Sequence, residues 1–318
     1  MAVYMTANIP EIKSSQDFTL HFNNNFWMEI GAQICRRHKI SFQLLYRSEH
    51  GENIVVLVDD RFVIKIFTPF LNGFKRETEA LALARQKTSL PVPEILFAGE
   101  IENFNYFVTN QFSGDLINRD IWLKLKKKEQ IGILTQLANG LRELHLHAAP
   151  TTNFDWQKFV KHQAGITIER QRASGANAEW LASLPEFLER NLKLLPIDLA
   201  PSFLHGDVHF GNLRVDRKGS RLQISGLFDF ADSLSGFHEY DFVAIGVLMI
   251  QGQGELQREF FRAYGYKEME INENLRARLM LLTVLYECSS LRKYALRLKP
   301  EAVDFTLDQL ERAIWNFV

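Results

Sequence analysis

The segment His205-Gly206-Asp207-Val208-His209-Phe210-Gly211-Asn212 and the later triplet Phe228-Asp229-Phe230 decide how this chain folds. Together they place a carboxylate, an amide five positions later, and a second carboxylate beyond a further pair of short strands. Carboxylate and amide oxygens are ligands that magnesium accepts, and a carboxylate can also take a proton from a hydroxyl group. The spacing therefore indicates a site that holds a metal-bound group beside a reacting hydroxyl.

The composition is that of an ordinary globular protein. Of the 318 residues, 46% are hydrophobic and 24% are charged, and the formal net charge is −1. This balance creates no field that would attract nucleic acid or an anionic membrane, so we expect neither as a partner. The compact basic run from Lys124 to Lys128 is better explained as a solvated helix face than as a binding patch.

Cysteine usage and the N-terminal sequence both favour a cytoplasmic protein. Cys35 and Cys288 lie far apart in the sequence, and two thiols in a reducing compartment are the expectation. The segment from Met1 to Asp17 lacks a basic start followed by an apolar run, so no secretory signal is expected. The apolar run from Phe242 to Ile250 is too short to cross a bilayer.

The first third of the chain is rich in strand patterns. We predict a helix over residues 26–38, strands over 54–58 and 62–67, a helix over 73–87, and strands over 94–97 and 106–112. β-branched residues dominate the first two strands, and Asp59-Asp60-Arg61 between them favours a hairpin.

The rest of the chain is mostly helical in pattern. Helical spacing extends over residues 119–147, 155–195 and 239–317, and residues 202–230 interrupt it with loop and strand. Four residues recur at helical spacing and predict a core stripe: Leu134, Leu137, Leu141 and Leu144. A strand-rich part followed by a helix-rich part predicts two domains, residues 1–112 and 113–318.

The polar set has the spacing of a known catalytic loop. Asp207 and Asn212 are spaced as in the protein-kinase motif H-R-D-x-x-x-x-N, and Asp229 stands where D-F-G follows. Gly206 replaces the Arg of that motif, and Ala231 replaces its last Gly. The pattern therefore indicates phosphoryl transfer, with two departures that need an explanation.

A His-Gly-Asp loop is typical of the aminoglycoside phosphotransferase and choline kinase-like family, which this chain resembles from about Ser48 to Tyr240. The resemblance implies an α+β, two-lobed protein-kinase-like fold. Its N-lobe would be small, with an antiparallel sheet that binds the nucleotide. Its C-lobe would be larger and mostly helical, and would carry the catalytic loop, the metal site and the acceptor pocket.

Three side chains are the candidates for the chemistry. Asp207 would accept or orient the proton of the acceptor hydroxyl. Asn212 offers magnesium a neutral carbonyl oxygen, and Asp229, held at the end of a strand, offers it a carboxylate. Each residue alone could equally be a turn or capping residue, but their joint spacing favours the catalytic interpretation.

Lys65 is a single cation inside an apolar strand pattern. Because burial of an unpaired lysine is costly, we expect it to face a phosphate or a carboxylate. The resemblance implies that Lys65 binds the α- and β-phosphates and pairs with a glutamate on the next helix. Glu77 is the preferred partner and Glu79 the rival, and they point to different helix faces. A lysine that extends its ammonium to water is the structural alternative.

The other nucleotide contacts are predicted from position. The loop from Ser48 to Asn53 has one glycine, Gly51, and its backbone amides with the Ser48 and Asn53 side chains could contact phosphate. An ordinary hairpin loop is the alternative. The resemblance implies that the backbone at Asn110 and Phe112 binds adenine, although the ring of Phe112 fits a core position better.

Three further residues are expected to support the catalytic loop or to have no role in it. His205 should order the loop by packing and hydrogen bonding, and the resemblance implies that Asp241 accepts hydrogen bonds from loop amides. His209 is expected to face solvent without a role. A zinc site built from His205, His209 and Asp207 is disfavoured. Its ligands would lie two residues apart on a loop, and none of them would be a cysteine.

The segment between Asp229 and Asp241 is about a dozen residues long and lacks the A-P-E motif of protein kinases. We therefore predict a magnesium-dependent kinase that uses ATP or GTP and phosphorylates a hydroxyl of a small molecule. The acceptor could be an aminoglycoside or another antibiotic sugar, or a homoserine-like or choline-like metabolite. A monomer or a homodimer is expected. The alternatives are a nucleotide-binding pseudokinase and a protein kinase.

Carboxylates and aromatic rings outside the loop could recognise the acceptor. Four carboxylates are candidates for binding a cationic acceptor: Asp155, Glu239, Glu255 and Glu287. Trp156 and Trp180 could stack on a ring of the acceptor, but a core position is the better expectation for both.

Overall fold

A computed structural model describes residues 10–49, 51–150, 154–196 and 200–318 of the chain. Within these residues the chain forms two compact units. Unit 1 consists of the described residues up to Arg85 together with Val92–Phe112. Unit 2 consists of Gln86–Pro91 and of the described residues from Ser113 to Val318.

Unit 1 is built around an antiparallel sheet. Its helices and strands are α1 Ser15–His21, α2 Phe26–Arg37, β1 Leu45–Arg47, β2 Ile54–Val58, β3 Phe62–Ile66, α3 Gly73–Lys87, β4 Ile95–Ile101 and β5 Phe104–Asn110, with the end of α3 assigned to unit 2. The five strands pair in the order β1-β2-β3-β5-β4. The sheet is antiparallel throughout, as the sequence pattern predicts.

Two tight hairpins set the register of this sheet. Between β2 and β3, Asp59 and Asp60 have φ values of 49° and 54°, in the left-handed region that aspartate tolerates better than most residues. Glu102 and Asn103 have φ values of 50° and 65° between β4 and β5. The second hairpin lengthens β4 beyond the predicted residues 94–97, because pairing with β5 continues up to the Glu102-Asn103 turn.

The core of unit 1 lies between α2 and one face of the sheet. Trp27, Ile30 and Ile34 recur at helical spacing along α2 and are fully buried against sheet residues. Gly31 allows the close approach, because a Cβ at that position would lie 3.1 Å from a methyl group of Val56. The predicted helix over residues 26–38 is confirmed and provides this packing face.

Unit 2 is mostly helical. Its elements are β6 Asp115–Leu116, α4 Arg119–Lys124, α5 Lys127–His145, α6 Trp156–Ala173, α7 Ala178–Asn191, β7 Ser202–Leu204, β8 Leu213–Lys218, β9 Arg221–Leu227, β10 Leu234–Gly236, α8 Phe242–Ala244, α9 Gly254–Tyr264, α10 Glu273–Leu285, α11 Leu291–Leu298 and α12 Leu307–Ile314. Ile245–Ile250 continues α8 as a π-helical segment. No helix in the described part of the chain combines the length and apolar character needed to span a bilayer.

The core of unit 2 forms around α5. The predicted stripe is confirmed, since all four leucines are buried: Leu134, Leu137, Leu141 and Leu144. Trp180 on α7 is also buried, and its indole N–H donates to the carbonyl oxygen of Phe305 at 2.7 Å, so its core assignment is confirmed. A buried indole normally needs such a partner.

Two small antiparallel sheets position the loops of unit 2. Strand β7 pairs with β10, and β8 pairs with β6 on one side and β9 on the other. Strand β7 leads directly into the segment 205–212, while β9 leads into Phe228 and Asp229. Both connections are thus anchored at their strand ends, which limits their conformational freedom.

Replacement of Trp27 by Ala should destabilise unit 1, because it removes a fully buried indole from the α2–sheet interface. We expect the free energy of unfolding to fall by about 3–5 kcal/mol, as for other buried Trp→Ala changes. Tyr46→Ala is the matched control, because this aromatic side chain is 53% exposed. Denaturant unfolding followed by circular dichroism measures both; equal losses would contradict this account of the core.

Candidate active site

The β8–β9 hairpin brings Asn212 and Asp229 to the same end of one sheet. Leu213, the first residue of β8, pairs with Leu227, the last residue of β9. One step beyond this pair, the backbone N–H of Phe228 donates to the carbonyl oxygen of Asn212 at 3.1 Å. Because antiparallel strands place the start of one beside the end of the next, Asp229 follows directly at the Asn212 end.

Asp229 has an unusual backbone conformation. Its φ of 66° and ψ of 67° lie in the left-handed region, which costs a residue with a side chain about 1 kcal/mol or more. A 3₁₀ turn over Phe230–Asp232 begins immediately after it. A strained carboxylate at the end of a strand is typical of a functional position rather than of a simple cap.

Asn212 joins this end of the sheet to Asp207. Its side-chain nitrogen donates to the backbone oxygen of Asp207 at 2.9 Å and to the carboxylate Oδ2 of Asp207 at 3.3 Å. Because the amide nitrogen is the donor in both contacts, the amide oxygen is the atom with which Asn212 could bind a cation. The structure thus brings Asp207, Asn212 and Asp229 together in unit 2.

The carboxylate of Asp207 is held at both oxygens. The hydroxyl of Tyr286 donates to Oδ1 at 2.8 Å, and Nε2 of His209 lies 3.1 Å from Oδ2. Burial alone would raise the pKa of Asp207, but the hydrogen bonds from His209 and Tyr286 outweigh it, so this pKa lies below its usual value. Asp207 is therefore an anion at neutral pH.

The expectation that His209 faces solvent is wrong. Its ring is only half-exposed and contacts two groups of the loop, since Nδ1 accepts a hydrogen bond from the N–H of Gly211 at 2.9 Å while Nε2 contacts Asp207. The physical reason is local, because the 3₁₀ turn Phe210–Asn212 folds the ring back over the loop. In the sequence, the position of this histidine just before the turn was the signal that could have predicted these contacts.

His205 and Asp241 order the loop, as the sequence predicts. The carboxylate of Asp241 accepts from the backbone N–H of His205 at 2.8 Å and from that of Gly206 at 2.7 Å. The Asp207 N–H donates to Nδ1 of His205, so the opposite nitrogen carries the hydrogen and donates to the oxygen of Phe228 at 3.1 Å. Burial lowers the pKa of His205, which keeps this ring neutral.

The structure explains why glycine replaces the arginine of the protein-kinase motif. Gly206 has a φ of 88°, a value that favours glycine. A Cβ at this position would also overlap the backbone oxygen of Asp232. The segment after Asp229 therefore packs directly on the loop, and only glycine fits between them.

Behind the loop lies a buried polar network that sequence reasoning missed. His145 donates to Asp241 at 3.0 Å and contacts the hydroxyl of Tyr264 at 2.8 Å. Glu239 is buried and accepts two hydrogen bonds from Arg278, at 2.6 and 3.0 Å. These partners are 39 to 119 residues apart in the sequence, a separation at which no local pattern signals a contact.

In unit 1 the structure pairs Lys65 with Glu77. The distance from Nζ to Oε2 is 2.7 Å, and both side chains are at most 10% exposed. Glu79, the rival, instead lies 3.9 Å from Lys75 on the same helix. A buried ion pair of this kind fixes the position of the ammonium group. The pairing prediction is confirmed, and the role of Lys65 towards phosphate stays a prediction.

The other predicted nucleotide residues lie at the ends of strands in unit 1. Asn53 is buried just before β2, and its Oδ1 accepts from the N–H of Thr68 at 3.3 Å. The N–H of Ser48 donates to Val55, Asn110 ends β5 as an exposed residue, and Phe112 is half-buried. His50, in the same loop as Ser48, lies outside the described residues. The roles of these four residues towards a nucleotide stay predictions.

The acceptor carboxylates named from the sequence have different environments. Glu239 is occupied by Arg278, Glu255 pairs with Lys127, and Asp155 caps the first turn of α6. Glu287 is exposed, and within the described residues its carboxylate has no hydrogen bond or ion pair. Glu287 directly follows Tyr286, the residue that donates to Asp207.

A cavity of about 290 Å³ lies in unit 2, against α6. Its described lining is mostly apolar: Trp156, Gln157, Val160, Lys161, Ala164, Leu192, Leu195 and Pro196. Trp156 is half-buried rather than part of the core, which corrects the expectation for this residue. Its ring meets Tyr240 edge-on at 5.6 Å, and Tyr240 in turn contacts Tyr286 at 5.2 Å.

The donor set fits magnesium better than zinc. Within the described ranges no group of three or more His, Cys, Asp or Glu side chains could hold a metal ion by itself. The two predicted ligands, Asp229 and Asn212, would offer one carboxylate and one amide oxygen, which is a sparse set of hard donors. Magnesium is usually bound in this way, with water and substrate phosphates as its remaining ligands.

Comparisons with known proteins agree with this arrangement. The sequence pattern of the phosphotransferase enzyme family matches residues 47–281, about three quarters of the chain. This chain belongs to the phosphotransferase enzyme family. It is thus a small-molecule kinase, and the resemblance noted in the sequence is confirmed.

Individual relatives of this phosphotransferase are distant. The chain is 25% identical over 281 residues to a probable ketoamine kinase of Vibrio cholerae. This match covers 78% of this chain and 90% of the relative. A probable ketoamine kinase of Vibrio vulnificus is 24% identical over 209 residues, covering 61% and 72% of the two chains.

Solved structures confirm the predicted α+β fold class of this phosphotransferase. The GDP and kanamycin complex of an aminoglycoside 2″-phosphotransferase has a TM-score of 0.68, with 15% identity, and covers 92% of this chain and 100% of that one. At this identity the likeness concerns the fold alone.

Acid should destabilise the phosphotransferase through His238. Its Nε2 contacts the hydroxyl of Tyr266 at 2.9 Å, and burial, aided by the charge of His145, lowers its pKa to about 3. The unfolded chain takes up a proton near pH 6.5 while the folded chain does not, so stability is complete above this pH and declines below it. From pH 7 to pH 5 the unfolding free energy should lose up to about 2 kcal/mol through this residue.

The measurement is denaturant unfolding of wild type and His238→Gln at both pH values. Glutamine keeps a donor for Tyr266 but cannot titrate, so the variant should lose less stability on acidification. An identical loss in the two proteins would show that His238 is not responsible.

Proposed function

We propose that this phosphotransferase transfers the γ-phosphate of ATP or GTP, with magnesium, to a hydroxyl group of an amine-bearing small molecule. The observation that carries the proposal is the junction of Asp207, Asn212 and the start of the Asp229 segment at one end of the β8–β9 hairpin. A proton acceptor and two hard oxygen ligands in such proximity form the set that phosphoryl transfer needs.

Asp207 is proposed as the group that receives the proton of the acceptor hydroxyl. Its lowered pKa keeps it anionic, and a carboxylate that already accepts from Tyr286, His209 and Asn212 still has a lone pair for a fourth donor. As the acceptor oxygen bonds to the γ-phosphorus, the bond to the β–γ bridging oxygen breaks and a nucleoside diphosphate leaves. Orientation of the hydroxyl is the main contribution of Asp207, because this reaction depends on positioning.

The remaining groups are proposed to hold the triphosphate. Asn212 and Asp229 would bind magnesium, which would offset the negative charge of the phosphate groups. Lys65, fixed by Glu77, would contact the α- and β-phosphates with its ammonium group. Ser48 and Asn53 would contribute contacts from the loop before β2, and Asn110 and Phe112 would contact the base through their backbone.

An amine-bearing acceptor is supported by two observations. The exposed carboxylate of Glu287 follows the residue that holds Asp207, so it could pair with an ammonium group of a bound acceptor. The Vibrio relatives are named for ketoamines, and the structural neighbour contains kanamycin; both are hydroxylated molecules with amino groups. Ketoamines and aminoglycosides are therefore the first acceptors to test.

A small acceptor also agrees with the segment after Asp229. This segment folds into a 3₁₀ turn and the short strand β10, which pairs with β7 just before the catalytic loop. It therefore offers no long loop to dock a peptide, unlike the activation segment of a protein kinase.

The test is a coupled assay of nucleoside diphosphate release with magnesium, ATP or GTP, and a panel of acceptors. The panel contains a ketoamine, kanamycin, homoserine, choline and a non-hydroxylated amine as control. Stimulation by a hydroxylated acceptor, with a phosphorylated product seen by mass spectrometry, is expected. Nucleotide binding without transfer to any acceptor would favour the pseudokinase alternative.

Asp207→Asn should lower kcat by about 100-fold or more, because it removes the proton acceptor while it keeps the size of the side chain. The KM for the nucleotide should change little, since Asp207 is not proposed to touch the phosphates. Steady-state kinetics with the best acceptor provide the measurement. A variant with near wild-type kcat would remove Asp207 from the proposed chemistry.

Asp229→Ala should abolish the magnesium-dependent part of nucleotide binding, because it removes the only carboxylate proposed as a metal ligand. Thermal shift with ATP, measured with magnesium and with EDTA, separates this part from metal-independent binding. Asp232→Ala, an exposed neighbour, is the matched control. An unchanged magnesium-dependent shift in Asp229→Ala would contradict the assignment.

A further inference from the structure

Two residues that no sequence motif brings together contact the Asp207 carboxylate, one at each oxygen. Tyr286 donates to Oδ1 at 2.8 Å from the end of α10, 79 residues away, and His209 contacts Oδ2 at 3.1 Å from within the loop. Asn212 is a weaker third contact, at 3.3 Å from Oδ2. Each oxygen of the carboxylate thus has its own donor on a different element.

The direction of the His209 hydrogen bond follows from its second contact. The N–H of Gly211 donates to Nδ1 of His209 at 2.9 Å, so in the neutral ring Nδ1 is the acceptor and carries no hydrogen. The hydrogen must then be on Nε2, which faces Oδ2 of Asp207. His209 is therefore a donor to Asp207 even when the imidazole is uncharged.

Tyr286 is held rigidly by its surroundings. Its ring is buried and packs on Tyr240 at a centroid distance of 5.2 Å. The hydroxyl of Tyr240 in turn accepts from the N–H of Glu287 at 3.1 Å, which fixes the backbone next to Tyr286. The Tyr286 hydroxyl also lies 3.1 Å from the backbone oxygen of Gly206, but its one hydrogen is best directed to the closer, charged carboxylate.

We propose that Tyr286 and His209 are positioning residues that fix the rotation of the Asp207 carboxylate towards the acceptor hydroxyl. This inference rests on the proposed function, in which Asp207 receives the proton of that hydroxyl. Two donors on opposite oxygens prevent rotation about the Cβ–Cγ bond, and the remaining lone pairs then have a fixed direction. Misplacement of a reacting group by about 1 Å can cost about 100-fold in rate.

Two substitutions of His209 separate positioning from a purely structural role. In His209→Asn the amide oxygen can still cap the N–H of Gly211, as Nδ1 does, but the side chain is too short to reach Asp207. In His209→Gln the amide nitrogen reaches as far as Nε2 and can still donate to Asp207, while the cap is lost. The two variants thus each keep one of the two contacts.

We expect kcat of His209→Asn to fall about 10- to 100-fold, with the nucleotide KM unchanged, and kcat of His209→Gln to be about tenfold higher than that of the Asn variant. The opposite order, with Asn more active than Gln, would mean that His209 only caps the loop. That result would overturn its positioning role.

Tyr286→Phe tests the second donor, because it keeps the buried ring and removes only the hydroxyl. We expect kcat to fall about tenfold while the melting temperature and the nucleotide KM stay close to wild type. In the Asp207→Asn background the same change should cause little further loss, since the group to be positioned is already gone. Independent, multiplying losses in the double variant would overturn the positioning role of Tyr286.

Failure of this inference can be told apart from failure of the proposed function. Full activity of Asp207→Asn would remove the proposed base and the inference with it. A severe loss in Asp207→Asn, together with wild-type kcat in both Tyr286→Phe and His209→Asn, would overturn the inference alone.

Discussion

The arrangement of the catalytic loop depends on one buried carboxylate, that of Asp241. It is 1% exposed and accepts hydrogen bonds from the backbone N–H groups of His205 and Gly206 and from the ring of His145. A buried charge without such donors would be strongly destabilising, so Asp241 and the loop constrain each other. If the loop moved away, the Asp241 carboxylate would lose its two backbone donors. Asp207, the proposed proton acceptor, directly follows Gly206, so these contacts fix the position of its backbone.

Beyond Asp241, a turn, a side-chain hydrogen bond and one pair of strands position the rest of the site. The positive φ of Gly206 turns the chain towards Asp207, and the Asn212 amide ties Asp207 to the start of β8. The β8–β9 pairing then delivers Asp229 to the same place. Each step uses a hydrogen bond, strand pairing or a turn of defined length, so the protein scaffold holds the site in place. This preorganisation suits a reaction whose barrier is lowered mainly by positioning and by electrostatics.

Much of the fold and of the candidate site could be predicted from sequence, and the rest depends on strand pairing, a local turn and tertiary packing. The proximity of Asp207, Asn212 and Asp229 follows from motif spacing. The Lys65–Glu77 pair and the Asp241 contacts were expected from the family resemblance and, for Lys65, also from the cost of burying charge. The extended β4 was missed because its length depends on pairing with β5, and His209 was misjudged because a turn folds it back. Tyr286 and the Glu239–Arg278 pair carry no local signal, since α10 reaches the loop only through tertiary packing.

The assignment of Gln86–Pro91 to unit 2 affects how this protein could be dissected. These six residues lie between parts of unit 1 in the sequence, yet Thr88 donates to the backbone oxygen of Gly140 and the oxygen of Pro91 accepts from the N–H of Leu227. A fragment that begins at Ser113 would lack them. The N–H of Leu227, at the end of the strand that delivers Asp229, would lose its acceptor, and α5 would lose the side chains that cover Gly140. Separate expression of the helical unit therefore requires this hexapeptide to be supplied, for instance by a circular permutation or a fused N-terminal segment.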